Sequence, residues 1–457
     1  MKNFKPHTLA LALAVAFPSI AMAQSNDELM KELRALKDRV GQLESALKAK
    51  DAPKAADADK QWGMTPAQVQ DFNRVTLKTE ALEDAMEAQG FKGLKISGQM
   101  DPTYIYNRAQ NRAGFQFLNA VGDDLYNYDN SYFGMALIDF QKEMEGGTKW
   151  RLTLAPSRGV GSVVDGQSIV HEASVSIPLG DLQTRLIAGQ IPDWSGYEYL
   201  PPTQNKLITH NLLFDFTLPT AYTGAGMEVI SGKWDVKALL ANMNATKRAS
   251  GEKTPVIAYR VDYSKGEYNG FGFAGVHGKA ANLVNGGPDT SLNLFEADAY
   301  FIRGDWTLQG QVSYGQQKNA AIAVDPNTGE LRDARWYGAS ALAAYKFTPR
   351  FEGIARVDYI NNSRNGGGLL GYGNDSRNGI GQGMVQDGEG GWTVGDAERG
   401  ANRMALSVGV GYAFNANTTF KAEYRLDRAS QAVFVDVRDG SYSKSNHLLG
   451  ASMVLSF

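Results

Sequence analysis

The stretch Phe420-Lys421-Ala422-Glu423-Tyr424-Arg425-Leu426-Asp427 alternates without a break. In an extended chain Phe420, Ala422, Tyr424 and Leu426 fall on one face, and Lys421, Glu423, Arg425 and Asp427 on the other. The same period of two sets Phe351, Gly353, Ala355, Val357 and Tyr359 against Glu352, Arg356 and Asp358. It also sets Trp150, Leu152 and Leu154 against Lys149, Arg151 and Thr153. It begins where Leu94, Ile96, Gly98 and Met100 alternate with Lys95, Ser97, Gln99 and Asp101. Charges of both signs on one face, facing an apolar face, describe a strand held between water and lipid.

The joints between segments count the strands. Short turns of Gly, Asn, Asp or Pro chemistry stand at Glu145-Gly146-Gly147, Gly180-Asp181, Gly232-Lys233, Gly266 to Gly270, Gly304-Asp305, Thr348-Pro349 and Asn415 to Asn417. Between them lie longer polar connections at 108–131, 157–167, 193–221, 244–253, 280–290, 319–334, 364–401 and 429–443. Seven hairpins with a first and a last strand make sixteen strands. A strand of about 13 residues, tilted by about 45°, rises roughly 30 Å, enough to cross an outer-membrane apolar band. A soluble sandwich or β-helix would use shorter strands without charges on one face of every segment. The expected fold is an all-β transmembrane barrel of about 16 antiparallel strands over residues 91–457, preceded by a short periplasmic α-helical coiled coil.

Composition agrees with a folded chain. Of 457 residues 43% are hydrophobic and 21% charged, and Gly numbers 50. A net charge of −3 argues against a nucleic-acid partner. With no Cys there is no disulfide framework and no thiolate metal site. His171, His210, His277 and His447 are scattered without metal-ligand spacing, so no metal and no cofactor is expected. Neither a Gly-x-Ser-x-Gly elbow nor a phosphate-cradling Gly loop occurs, and no catalytic residue is assigned; the protein reads as a non-enzyme.

Upstream of the strands the pattern changes. Lys2 and Lys5 precede an apolar stretch from Leu9 to Ile20 and the small-residue site Ala21-Met22-Ala23, which reads as a signal peptide over 1–23. In 24–50, Leu29, Leu33, Leu36, Val40, Leu43 and Leu47 form a heptad seam, and Glu32 with Lys37 and Arg39 with Glu44 are complementary across it. The alternative for this segment is a lone amphipathic helix. Residues 51–64 read as a linker. Thr65-Pro66 has the chemistry of a helix start and Gly90 that of a stop, so a periplasmic helix is expected over 65–90.

The chain closes on Leu449, Ala451, Met453, Leu455 and Phe457, which alternate up to a C-terminal Phe. This tail resembles the strand that outer-membrane barrels present to the barrel-assembly machinery. Signal peptide, coiled coil, sixteen strands and terminal Phe457 together resemble the trimeric proteobacterial outer-membrane porins, especially phosphate-selective-type porins with an N-terminal coiled coil and an uncharacterised porin-like family of the same layout. Ala188-Gly189-Gln190-Ile191-Pro192, leading to Tyr197-Glu198-Tyr199-Leu200, resembles their strand into the third loop. The resemblance implies a homotrimer in the cell outer membrane, in contact with lipid and lipopolysaccharide. It also implies a water-filled channel for small hydrophilic solutes or ions. The competing reading is a structural barrel that tethers the envelope through its periplasmic coiled coil.

Strand parity turns Lys95, Arg151, Arg185, Lys237, Arg260, Arg356, Lys421 and Arg425 inward. It does the same for Asp101, Asp139, Glu172, Asp262, Glu296, Asp298, Glu352, Asp358, Glu423 and Asp427, so the lumen is expected to be charged and nearly balanced, without large apolar side chains plugging it. The connection 193–221 carries Leu207, Ile208, Leu212, Leu213, Phe214 and Phe216, an apolar density that suits a loop packed inside the wall. Cover for a subunit interface is the other use for such a loop. The constriction is then expected where Asp193, Glu198 and Asp215 on this loop oppose Arg151, Arg185 and Arg425 on strands 3, 5 and 16. The alternative is that neighbouring-strand carboxylates such as Asp139 or Glu172 neutralise each arginine.

Overall fold

Thr65 begins the helix that precedes the strands. Its Oγ1 accepts from Gln68 N at 3.4 Å, while Gln68 Oε1 accepts from Thr65 N at 2.9 Å, a reciprocal capping box. From there α1 runs Pro66–Ala88 and ends at Gly90, whose φ of 75° suits a residue without Cβ. The computed structural model describes residues 65–109, 111–117, 134–155, 169–219, 221–243, 254–264, 268–280, 289–321, 323–362, 380–396 and 398–457, together with Lys37. The signal peptide, the linker and the heptad seam from Leu29 to Leu47 lie outside the described residues.

Eighteen hydrogen-bonded segments make one sheet. Two of them, Leu94–Met100 and Thr103–Asn107, are halves of a single strand, β1, interrupted at Asp101-Pro102. Arg112–Gln116 and Ala136–Glu143 are likewise halves of β2. The result is a closed antiparallel barrel of 16 strands. β3 is Lys149–Leu154, β4 Val170–Pro178, β5 Thr184–Pro192, β6 Ala221–Ser231 and β7 Trp234–Met243. β8 is Val256–Ser264, β9 Asn269–Ala280, β10 Thr290–Arg303, β11 Trp306–Gln317 and β12 Ala334–Thr348. β13 is Phe351–Asn361, β14 Arg403–Asn415, β15 Thr418–Ala429 and β16 Ser445–Ser456. Closure joins β16 to β1, with Ser456 opposite Gln99 and Ser452 opposite Thr103. The barrel sheet thus closes on itself, which is the condition for crossing a bilayer with strands.

The sixteen-strand count holds, and the short turns fall where their chemistry places them, except that Gly266 in the turn up to Gly270 lies outside the described residues. The first long connection differs from expectation. Asn107 already pairs with Arg112, so Arg112–Gln116 within 108–131 is strand.

The outer surface is apolar. Leu240, Ile257, Phe273, Phe295, Val312, Val357 and Leu406 stand exposed on it. At the short-turn ends aromatic rings meet between neighbouring strands: Trp234 with Tyr263 at 4.4 Å, Trp306 with Tyr345 at 4.8 Å, and Phe414 with Phe420 at 6.1 Å. An apolar band edged by aromatic rings is the surface a barrel presents to lipid and its interface.

The inner surface corrects one expectation. Towards the long-loop ends of β7 to β12, Leu239, Val256, Val276, Leu292, Leu294 and Trp336 turn inward and are buried in one apolar cluster with Trp194 of the third loop. The lumen wall is therefore apolar towards the long-loop ends of these strands and charged farther along the same strands, at Lys237, Arg260, Asp262, Glu296 and Asp298.

Candidate constriction site

The third long loop leaves β5 after Pro192 and returns at Ala221, the start of β6. Tyr222 on β6 holds Asp193, and Thr203 bonds Gln99 on β1, but Tyr197, Glu198, Ile208 and Thr209 bond inward side chains of β12 to β15. In a ring of 16 strands β13 stands half a turn from β5, so the loop crosses the lumen to the far wall.

It starts on an Asx turn. Asp193 accepts from Ser195 N and Ser195 Oγ at 3.0 Å each, and from the Tyr222 hydroxyl at 2.6 Å. Burial pushes the Asp193 carboxyl up to about 6. Farther on Asn211 caps the one-turn helix α2, Leu212–Phe216, by accepting from Leu213 N at 2.9 Å and Phe214 N at 2.8 Å.

Arg356 on β13 is the centre of the far attachment. Its guanidinium donates to Glu198 at 2.7 Å and Asp358 at 3.0 Å. It also donates to the carbonyls of Thr209 at 2.7 Å and His210 at 2.8 Å. Glu198 uses its other oxygen to accept from Asn211 N at 2.6 Å. The Tyr197 hydroxyl bonds Ser340 on β12 at 2.5 Å, and Ser340 donates to Asp358 at 2.7 Å.

β15 continues the attachment. Glu423 accepts from Ile208 N at 2.7 Å, Thr209 N at 2.8 Å and Thr209 Oγ1 at 2.6 Å. Arg425 donates to the His210 carbonyl at 2.7 Å and pairs with Asp427 at 3.0 Å. Lys421 donates to the carbonyls of Pro202 at 2.7 Å and Asn205 at 2.5 Å. Asp427 also pairs with Arg403 at 3.0 Å, whose guanidinium lies 5.0 Å from the Phe216 ring and 5.2 Å from the Phe434 ring.

Apolar side chains of the loop enter sockets left by glycines on the wall. A Cβ on Gly409 would stand 2.5 Å from Leu207 Cδ2, one on Gly338 3.1 Å from Leu213 Cδ1, and one on Gly450 3.1 Å from Ile208 Cδ1. Burial leaves its mark on titration here too. Glu198 is pushed up to about 7 by burial, against the pull of Arg356, and burial holds the His210 imidazole down at about 3.

The six residues singled out from the sequence therefore separate. Glu198 and Arg425 meet around Thr209 and His210, but the arginine that Glu198 bonds is Arg356. Arg425 belongs to β15, not to the sixteenth strand. Arg151 pairs with Asp139 at 2.9 Å and Glu172 at 3.3 Å, on the wall from which the loop departs. Arg185 donates to Ser176 Oγ and to the carbonyl of Gly147, both at 2.6 Å, and so braces a short turn. Asp193 sits at the loop's root and Asp215 is buried on α2. Parity had turned Arg356, Lys421 and Glu423 inward, but it carries no information on which inward residue lies across from the loop. Arg403 escaped the reading although it too is inward.

Comparison with solved structures returns outer-membrane barrels. Outer-membrane expressed OmpT of Vibrio cholerae is 10% identical, at a TM-score of 0.48, over 80% of this chain and 97% of that one. An anion-selective porin from Comamonas acidovorans is 10% identical, at a TM-score of 0.47, over 80% of this chain and 99% of that one. No curated protein sequence matches the chain. The family model described as "Protein of unknown function (DUF3138)" matches residues 65–457, and the chain belongs to that family.

Proposed function

We propose that the protein is an outer-membrane porin, a water-filled channel through which small hydrophilic solutes or ions diffuse passively, narrowed by the third loop. The observation that carries this reading is the loop itself, fastened across the inside of a closed barrel by Glu198–Arg356 and by the Lys421, Glu423 and Arg425 contacts. A tethering barrel has no use for such a strut; a channel uses one to set its bore.

The far-wall charges are consumed in holding the loop. The Arg356 side chain is 0% exposed, whereas that of Arg151, on the opposite wall, is 28% exposed. Solutes would thus pass between the loop and the wall from β3 to β7, meeting Arg151 and the Lys237–Glu228 pair, bonded at 2.8 Å. Of the arginines considered, Arg151 is the one we assign to the filter. The short turns and N-terminal segments belong on the periplasmic side, the long loops outside, and Phe457 is the signal to the barrel-assembly machinery. The assembly is a homotrimer surrounded by lipid and lipopolysaccharide, with the 24–50 seam supporting it.

Conductance of the purified protein in planar bilayers tests the reading. Discrete conductance steps are expected, and folded protein that gives none would overturn it. Deleting residues 24–60 should leave the steps nearly unchanged while lowering the temperature at which the oligomer dissociates in detergent.

A further inference from the structure

α1 carries a second heptad seam. Phe72, Val75, Thr79, Leu82 and Met86 are spaced 3, 4, 3 and 4, which puts Phe72, Thr79 and Met86 at a and Val75 and Leu82 at d. Val75, Leu82 and Met86 of this 23-residue helix are 57%, 65% and 44% exposed among the described residues. In the same register Lys78 takes a g position and Glu83 the e position five residues on, a pair of opposite sign.

We propose that α1 is a self-association helix, which pairs in parallel and in register with α1 of further copies of this chain. Three features select that occupant. Lys78 on one copy meets Glu83 on the next only in a parallel, in-register pair. Copies inserted in one membrane share one orientation, so parallel pairing is the arrangement open to them; this step rests on the outer-membrane reading. Thr79, a polar a residue in the middle of the seam, disfavours shifted registers that would bury it against an apolar neighbour.

A lipid surface is the occupant the charge argues against. α1 carries five carboxylates against Arg74 and Lys78, the reverse of the cationic polar face that holds a helix on anionic lipid. Its length of roughly 34 Å holds about three heptads, which is short for an independent coiled coil, so α1 would add to an assembly held by the barrels rather than create it.

Because the chain has no Cys, single cysteines report directly on proximity. Full-length Thr79→Cys protein, assembled in detergent and oxidised, should form intermolecular disulfides in high yield. Leu77→Cys, at a position 66% exposed but off the seam, should cross-link at least several-fold less. Lys78→Glu should lower the Thr79→Cys yield, and Lys78→Glu combined with Glu83→Lys should restore it. Equal yields at 77 and 79, or none at 79 in an intact oligomer, would overturn the proposal. Conductance of the same preparations separates the outcomes, since it reports on the channel reading whether or not the helices pair.

Discussion

Removing the Arg356 side chain should release the third loop. Arg356 and Glu198 are 0% and 3% exposed, and the guanidinium also serves Asp358 and two loop carbonyls. Arg356→Ala leaves the Glu198 and Asp358 carboxylates without their counter-charge and removes a donor from the Thr209 and His210 carbonyls, in a place water reaches poorly. Breaking a buried ion pair from one side costs about 3–5 kcal/mol. That is roughly two to four powers of ten in the ratio of docked to undocked loop. The Glu423, Lys421 and Arg425 contacts remain, so the barrel should still close while the segment around Thr209 and His210 detaches. In planar bilayers the variant should show a larger, noisier single-channel conductance, and in detergent it should unfold at a lower temperature. Arg356→Met combined with Glu198→Gln and Asp358→Asn removes the charges together and should recover most of the thermal loss, because no ion is then left unpaired. Unchanged conductance and unchanged unfolding in Arg356→Ala would refute the view that this arginine fastens the loop.

Gly409→Ala drives a methyl into Leu207 and should cost about 1–3 kcal/mol, read as a lower detergent unfolding temperature that Leu207→Ala partly restores. Arg151→Ser should move the reversal potential in a potassium chloride gradient toward cations, whereas Arg185→Ser should leave the potential alone and lower stability, since its partners are a turn carbonyl and Ser176. The loop's two shifted groups act oppositely with pH. The undocked His210 takes up a proton near 6.5 and the docked one only near 3, so its contribution to docking weakens as pH falls through that window, while Glu198, raised from 4.5 to about 7, takes up its proton first in the docked loop and strengthens docking as pH falls from about 7 to about 4.5. Conductance noise recorded from pH 7 down to 4.5 should therefore rise on acidification in Glu198→Gln and fall in His210→Gln; the same trend in both would exclude this assignment.

The strand count was legible because its signals are local. Gly232, Gly304, Thr348-Pro349 and Asn415 to Asn417 end strands by their own backbone preferences, and alternation reads cleanly wherever one face carries charge. Where both faces are apolar the period blurs. Leu239, Val276 and Leu294 look like lipid-facing residues in sequence, yet they pack inside with Trp194 and Trp336. The constriction was harder for a geometric reason. Parity fixes whether a side chain points in, but not which point of the circumference a crossing loop will reach. Arg151 and Arg356 are equivalent by that criterion, and only the path of the chain from β5 to β13 tells them apart.

That path also explains why the far wall is so heavily charged. A loop with little more than one turn of α-helix must satisfy most of its backbone groups elsewhere, and inside a barrel many of the partners have to come from the wall. Arg356 takes the Thr209 carbonyl and shares that of His210 with Arg425, Lys421 takes those of Pro202 and Asn205, and Glu423 takes the N–H groups of Ile208 and Thr209. Most of these bonds recognise loop backbone rather than loop side chains. The wall can thus hold the loop's course while side chains on its other side remain free to set the bore. Counting inward charges along the strands then overstates the electrostatic filter, because an arginine serving two carbonyls and two carboxylates offers little field to a passing ion. On the channel reading we propose, selectivity falls to the partly exposed Arg151, with its buried partners Asp139 and Glu172, and to the Lys237–Glu228 pair across the gap.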